Sequence, residues 1–260
     1  MTLRDALREA EQRLAAAGVD TPRVDAELLL AHVAGTTRSG LYADLDREVD
    51  GAVEPLLARR EAREPLAYVL GEWGFRRLTL KTDARALVPR PETEIVVERC
   101  LALLEGIESP RVLDIGVGSG AIALAVKDER PDARVTGVDV SGDALLLARE
   151  NADALGLDVD LHEGDVAAAA DGWELVVSNP PYVDSLEGLQ PELRYEPECE
   201  LIGEGLHEQI ARTAATQYVV FEVGLGQAHD VAAMLSACGY TDVAITQDLA
   251  GIDRVVEGRR

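Results

Sequence analysis

Asp114-Ile115-Gly116-Val117-Gly118-Ser119-Gly120 is the stretch on which the fold turns. With Val112 and Leu113 before it, it reads as a short buried strand running into a glycine-rich turn, and a helix follows as far as Asp128. Glycines at such a turn let the backbone approach a ligand closely, and the helix N-terminus favours negative charge. Outward from there the pattern keeps alternating. Val135 to Asp139 reads as a strand, a helix runs to Leu155, a short strand lies near Val159, and Leu175-Val176-Val177 is another. After a loop come a strand from Tyr218 to Val223, a helix from Gln227 to Ala237, and final strands at Val243–Ile245 and Arg254–Val256. This order predicts a doubly wound, Rossmann-like α/β sheet with ligands at the carboxyl ends of its strands.

The residues upstream differ in character. Residues 1 to about 65 read as helices: Thr2 caps one bearing Leu3, Leu7 and Leu14, and Thr21-Pro22 opens Val24 to Val33, closed by Gly35. Thr37 to Ala43 is at most a short third helix, and Asp50 to Arg63 carries Pro55 in its first turn. Trp73-Gly74-Phe75 and Leu78-Thr79-Leu80 form a β-hairpin pattern, and a helix is expected from about Glu92 to Leu104. The expected organisation is a helical module over 1–65, a hairpin linker over 66–90 and an α/β domain over 91–260.

Composition narrows the chemistry. The 260 residues carry a formal net charge of −23, which repels nucleic acid at long range and suits a basic partner. Cys100, Cys199 and Cys238 are widely spaced and the four histidines lack metal-ligand spacing, so neither a disulfide framework nor a metal centre is expected. The charged amphipathic N-terminus is not a signal peptide, and no apolar run reaches membrane-spanning length, so a cytoplasmic protein without membrane contact is expected.

Two sites emerge. Gly116, Gly118 and Ala121 also satisfy a dinucleotide-binding pattern. Asp114 ahead of the glycines, placed to receive an ammonium group, the extra Gly120, and Asp165-Val166 after the third strand favour S-adenosylmethionine instead. Asp139, ending the second strand, is placed for ribose hydroxyls. The second site is Ser178-Asn179-Pro180-Pro181-Tyr182, at the end of the Leu175–Val177 strand. Two prolines stiffen the bend and remove two donors, leaving the Asn179 side-chain oxygen and the Pro180 carbonyl as acceptors beside the Tyr182 ring. Two acceptors and a flat ring suit a planar NH2 group, either an amide or the exocyclic amine of a base.

Taken together, these residues resemble the HemK/PrmC family, the N5-glutamine methyltransferases of peptide chain release factors. The likeness also rests on Arg63 to Gly71, Val88-Pro89-Arg90-Pro91-Glu92-Thr93-Glu94, Tyr195-Glu196-Pro197, Glu222-Val223-Gly224 and Asp248 to Arg254. The family's usual Gly-Gly-x-Asp-Gly-Leu run is reduced here to Gly203-Glu204-Gly205-Leu206, and the helix and Pro-Gly-Gly turn before the Tyr218 strand are shortened. The resemblance implies a class I release factor as protein substrate and S-adenosylmethionine as donor, leaving S-adenosylhomocysteine. The expected donor-binding residues are Asp114, Gly116, Val117, Gly118, Ser119, Gly120, Asp139, Val166 and Asn179. Asn179 and Pro180 are the expected catalytic residues, with Pro181 and Tyr182 completing the substrate site. The competing readings are an amino-methyltransferase acting on DNA or RNA bases, and a non-catalytic partner that binds the donor.

Overall fold

The structure is a computed structural model that describes residues 1–49, 51–181, 190–198, 201 and 205–260. The chain divides into two compact units, with 1–72 and the 190–195 segment in the first and the other described residues in the second.

The first unit is helical: α1 (Leu3–Ala16), α2 (Pro22–Ala34), α3 (Arg38–Leu41), α4 (Val53–Glu61) and α5 (Leu66–Leu70). Leu3, Leu7 and Leu14 fall on one face of α1 and join Leu29, Leu30 and Leu57 in a single apolar core. Thr2 caps α1, accepting from the Asp5 N–H at 3.2 Å. Thr21 does not cap α2 in this way; its hydroxyl donates to Asp25 Oδ1 at 2.7 Å. The 3-10 turn Pro191–Tyr195 belongs to this unit. Its Glu192 pairs with Arg60 and Arg63, and the Tyr195 hydroxyl donates to the Ala62 carbonyl.

The second unit begins within a hairpin, β1 (Glu72–Phe75) and β2 (Leu78–Lys81), followed by α6 (Thr93–Leu103). The α/β series is β3 (Arg111–Ile115), α7 (Ala121–Glu129), β4 (Arg134–Asp139), α8 (Gly142–Leu155), β5 (Asp160–Glu163) and β6 (Trp173–Ser178). It ends with α9 (Leu206–Thr213), β7 (Thr216–Glu222), α10 (Ala228–Ala237), β8 (Thr241–Gln247) and β9 (Asp253–Arg259). The strands order as β5-β4-β3-β6-β7-β9-β8, parallel except where β9 runs antiparallel to both neighbours. Side chains alternate across the sheet. Val112 joins one core with α6, α7 and α8, and Leu113 joins the other with α9 and α10.

The doubly wound sheet matches the sequence pattern. The strand near Val159 lies at Asp160–Glu163, and β8 extends two residues beyond Val243–Ile245 at each end. Ala167–Ala170, which reads only as a biased run, lies in a 3-10 turn over Val166–Asp171, and the helix before the Tyr218 strand is α9, eight residues long. No helix among the described residues is long and apolar enough to cross a membrane.

This topology places the site. After β3 the chain builds β4 and β5 on one side, and β6 and β7 lie on the other. The carboxyl ends of β3 and β6 therefore flank the switch point, where open α/β sheets leave a crevice. Gly137 on β4 deepens the packing there. A Cβ at this position would lie 2.6 Å from Val117 Cγ2 and 2.9 Å from Leu161 Cδ2. Only glycine lets the Val117 side chain settle against the sheet.

Candidate active site

Ile115 and Ser178, the last residues of β3 and β6, are paired in register. The Ser178 hydroxyl donates to the Ile115 carbonyl at 2.7 Å, fastening the two strand ends together. The glycine turn and the Asn179–Pro181 corner therefore leave the sheet side by side. They open on one cleft, lined also by Leu87–Arg90, Thr93, Asp139, Val140, Gly164–Val166, Leu206 and Ile210.

The turn is shaped by backbone geometry. Gly116, Gly118 and Gly120 all have positive φ, where a side chain is strained. Asp139 braces the turn: Oδ2 accepts from the Gly118 N–H and Oδ1 from the Ser141 N–H, both at 2.9 Å. Asn151 on α8, which the sequence did not mark, holds it from behind. Its amide donates to the Ser119 carbonyl at 2.9 Å, and its oxygen accepts from the Lys81 N–H at 2.7 Å.

Of the expected donor-binding residues, Gly116, Val117, Gly118, Ser119, Asp139, Val166 and Asn179 line the cleft. Asp114 and Gly120 stand behind that lining. Gly120 caps α7 at φ 90°. Asp114 is buried, with Oδ2 accepting from the Ala123 N–H at 3.1 Å in the first turn of α7. Its Oδ1 has no hydrogen-bond partner among the described residues. At the second site Asn179 is half-buried, Pro180 is buried, and Asn179, Pro180 and Pro181 all line the cleft. Tyr182 lies outside the described residues.

S-adenosylmethionine fits this donor set. It needs an acid at the second strand end for a ribose diol, and Asp139 keeps spare lone pairs on both oxygens. It also carries an ammonium group, and the uncompensated Asp114 Oδ1 is a buried acceptor one residue from the turn. Burial pushes the Asp114 carboxyl up to about 8 from its ordinary 3.8, with the Ala123 bond opposing the shift and Asp139 adding to it. Between those values the native state holds a proton that the unfolded chain has released. Stability therefore falls as pH rises through this window. Ligand-free Asp114→Asn should lose that part of the decline, so the wild-type and variant melting curves diverge in favour of the variant as pH rises from 4 to 8. Parallel curves across that range would contradict the assignment.

Glu222 at the end of β7 is a second buried acid, raised to about 7 by desolvation and hydrogen-bonded by the Thr93 hydroxyl at 2.6 Å. Glu196, also buried, accepts from the Val88 N–H at 3.2 Å and from Arg90 Nη2 at 2.5 Å. Two distant carboxylates thus fasten the 87–93 segment that walls the cleft. Glu196 is 108 residues from Val88 and Glu222 is 129 from Thr93, so no local pattern reveals either contact.

Comparison with known proteins agrees with this geometry. A family model described as the PrmC N-terminal domain matches residues 5–71, and one described as the methyltransferase small domain matches residues 93–192. A release factor glutamine methyltransferase of Deinococcus radiodurans is 42% identical over 278 aligned positions, covering 100% of this chain and 99% of its own. One from Geobacter sulfurreducens is 41% identical, covering 99% and 96%. In fold alone, a human methyltransferase 10 domain containing protein matches 69% of this chain and 87% of its own with a TM-score of 0.54 at 14% identity. Full-length identity at this level, spanning the helical unit as well as the sheet, places the chain in the release factor glutamine methyltransferase family.

Proposed function

We propose that the enzyme methylates the side-chain amide nitrogen (N5) of the glutamine in the Gly-Gly-Gln motif of a class I peptide chain release factor. The observation that carries this reading is the pairing of Ile115 with Ser178, which supports donor loop and acceptor corner on one cleft.

When bound, S-adenosylmethionine supplies an electrophilic methyl group on a sulfonium. Gly116, Val117, Gly118, Ser119 and Val166 hold it by close approach, Asp139 takes the ribose hydroxyls, and Asp114 takes the ammonium group. Gly120 keeps the turn open. An amide nitrogen is a weak nucleophile because its lone pair is delocalised into the carbonyl. Orientation is therefore the main task. The Asn179 side-chain oxygen and the Pro180 carbonyl each accept one N–H of the carboxamide, aiming the nitrogen and favouring the positive charge that develops there. Holding reactants in near-attack geometry contributes up to about 7–11 kcal/mol. Pro180 and Pro181 keep both acceptors from relaxing, Asn179 also borders the donor, and Tyr182 is assigned the flat face of the side chain.

No residue has to take a proton before transfer: as the N–CH3 bond forms the S–CH3 bond breaks, S-adenosylhomocysteine leaves, and the strongly acidic N-methylated amide gives its extra proton to water. Among the described residues the carboxylates on the cleft have other tasks: Asp139 braces the turn, and Asp165 Oδ1 accepts from the Ala167 N–H at 2.8 Å. The direct substrate is protein and not nucleic acid. Supporting this are the −23 net charge and the engagement of Arg13, Arg23, Arg60, Arg63 and Arg85 in ion pairs.

The test is methyl transfer from labelled donor into a purified release factor, with mass spectrometry of its Gly-Gly-Gln peptide. One added methyl on the glutamine is expected. Label entering DNA or RNA and not the factor, or no turnover at all, would overturn the reading.

A further inference from the structure

We propose that Asn151 is a positioning residue for the methyl donor, tying the hairpin strand β2 to the glycine turn so that the strand sets the turn. This rests on the donor reading and goes beyond it. Asn151 is buried on α8, and its hydrogen bonds among the described residues all go to backbone. Its oxygen accepts from the Lys81 N–H at 2.7 Å. Its amide donates to the Lys81 carbonyl at 3.2 Å and to the Ser119 carbonyl at 2.9 Å. Lys81 is the last residue of β2, and Ser119 sits in the turn between Gly118 and Gly120. A buried amide is costly unless its partners are met. Leu147, Ala148 and Ala152, its buried neighbours on α8, are apolar, so packing alone does not call for an amide there.

The turn cannot fix itself. Gly118 and Gly120 both have positive φ and bring no side chain to pack. Asp139 holds the Gly118 N–H from the end of β4, and Asn151 holds the Ser119 carbonyl from the hairpin side. Ser119 lines the cleft, so the setting of its peptide shapes the backbone surface that meets the donor. A binding site needs support good to about 0.5 Å. The hairpin is firm enough to give it, because Phe75, Leu78 and Leu80 share a buried core with Leu145 and Ala148 of α8. The Lys81 Nζ–Glu150 pair at 2.7 Å also joins hairpin and helix, but it is half-exposed and contributes little.

Calorimetric titration with S-adenosylhomocysteine, well below each variant's melting temperature, separates this role from a structural one. Asn151→Ala should weaken binding about 10-fold, with kcat at saturating donor and KM for the release factor within about threefold. Asn151→Asp keeps an acceptor for the Lys81 N–H but loses both donors, and should weaken binding at least as much. Wild-type affinity in either variant, whatever its melting temperature, would overturn the positioning role. Thr79→Gly reads the link to the hairpin, since this exposed change loosens β2 away from the cleft. It should weaken binding about threefold in the wild-type background and leave Asn151→Ala unchanged, because the severed link has nothing more to transmit. No effect in the wild-type background, or an equal effect in both, would overturn the link. Failure of the wild type to bind S-adenosylhomocysteine at all would overturn the donor reading beneath the proposal.

Discussion

Asn179→Ala is expected to lower turnover about 10³-fold and leave affinity for S-adenosylhomocysteine within a few-fold. Removing one preorganised group from a polar transition-state site costs about 10²–10³ in rate. Here the loss falls at the upper end of that range because the nucleophile is also freed to turn. With only the Pro180 carbonyl left, the amide can rotate about its remaining hydrogen bond, and the near-attack geometry is lost. On the proposed reading the donor keeps its contacts along the glycine turn and at Asp139, so its binding should be largely spared. Single-turnover methyl transfer, with calorimetry on the same preparation, reads both quantities. Turnover within tenfold of wild type would show that the corner does not orient the acceptor.

Asp139→Ala should give the opposite pattern. Its carboxylate accepts from the Gly118 and Ser141 N–H groups, so the substitution removes both braces of the turn and, on the proposed reading, the acceptor for the ribose hydroxyls. Losing hydrogen bonds to a charged group costs about 1.5–3 kcal/mol, which corresponds to donor affinity weakened roughly 10- to 150-fold. At saturating donor, kcat should stay within a few-fold, because the Asn179–Pro181 corner hangs from β6 and not from this turn. Titration with S-adenosylhomocysteine measures the first effect and steady-state kinetics the second. Unchanged affinity would move the ribose contact elsewhere, and a collapse of kcat at saturation would mean that the turn also orients the acceptor.

The glycine turn, Asp139 and the Asn-Pro-Pro corner are legible in the sequence because each is local. Their geometry follows from residues whose φ is unusually free or fixed, next to an apolar run of strand length. The alternation of strand and helix then brings the strand ends together through general rules of sheet topology. What escapes sequence reading is the support. Asn151 beneath Ser119, Glu196 behind Val88 and Arg90, and Glu222 behind Thr93 are single polar residues whose partners lie far along the chain. Glu196 and Glu222 stand in motifs that carry the resemblance, but nothing local shows what either holds until burial and partners are known. Asp114 shows the same limit. Its position ahead of the glycines marks it, but only the structure shows one oxygen capping α7 and the other without a partner. Thr21 is the reverse case, a cap-like residue before proline whose hydroxyl binds the Asp25 side chain.

The most direct measurement is a crystal structure of the enzyme with S-adenosylhomocysteine and a peptide carrying Gly-Gly-Gln. The glutamine carboxamide nitrogen should lie about 3 Å from both the Asn179 side-chain oxygen and the Pro180 carbonyl. A carboxamide seated in the same cleft but bonded to neither would contradict the mechanism.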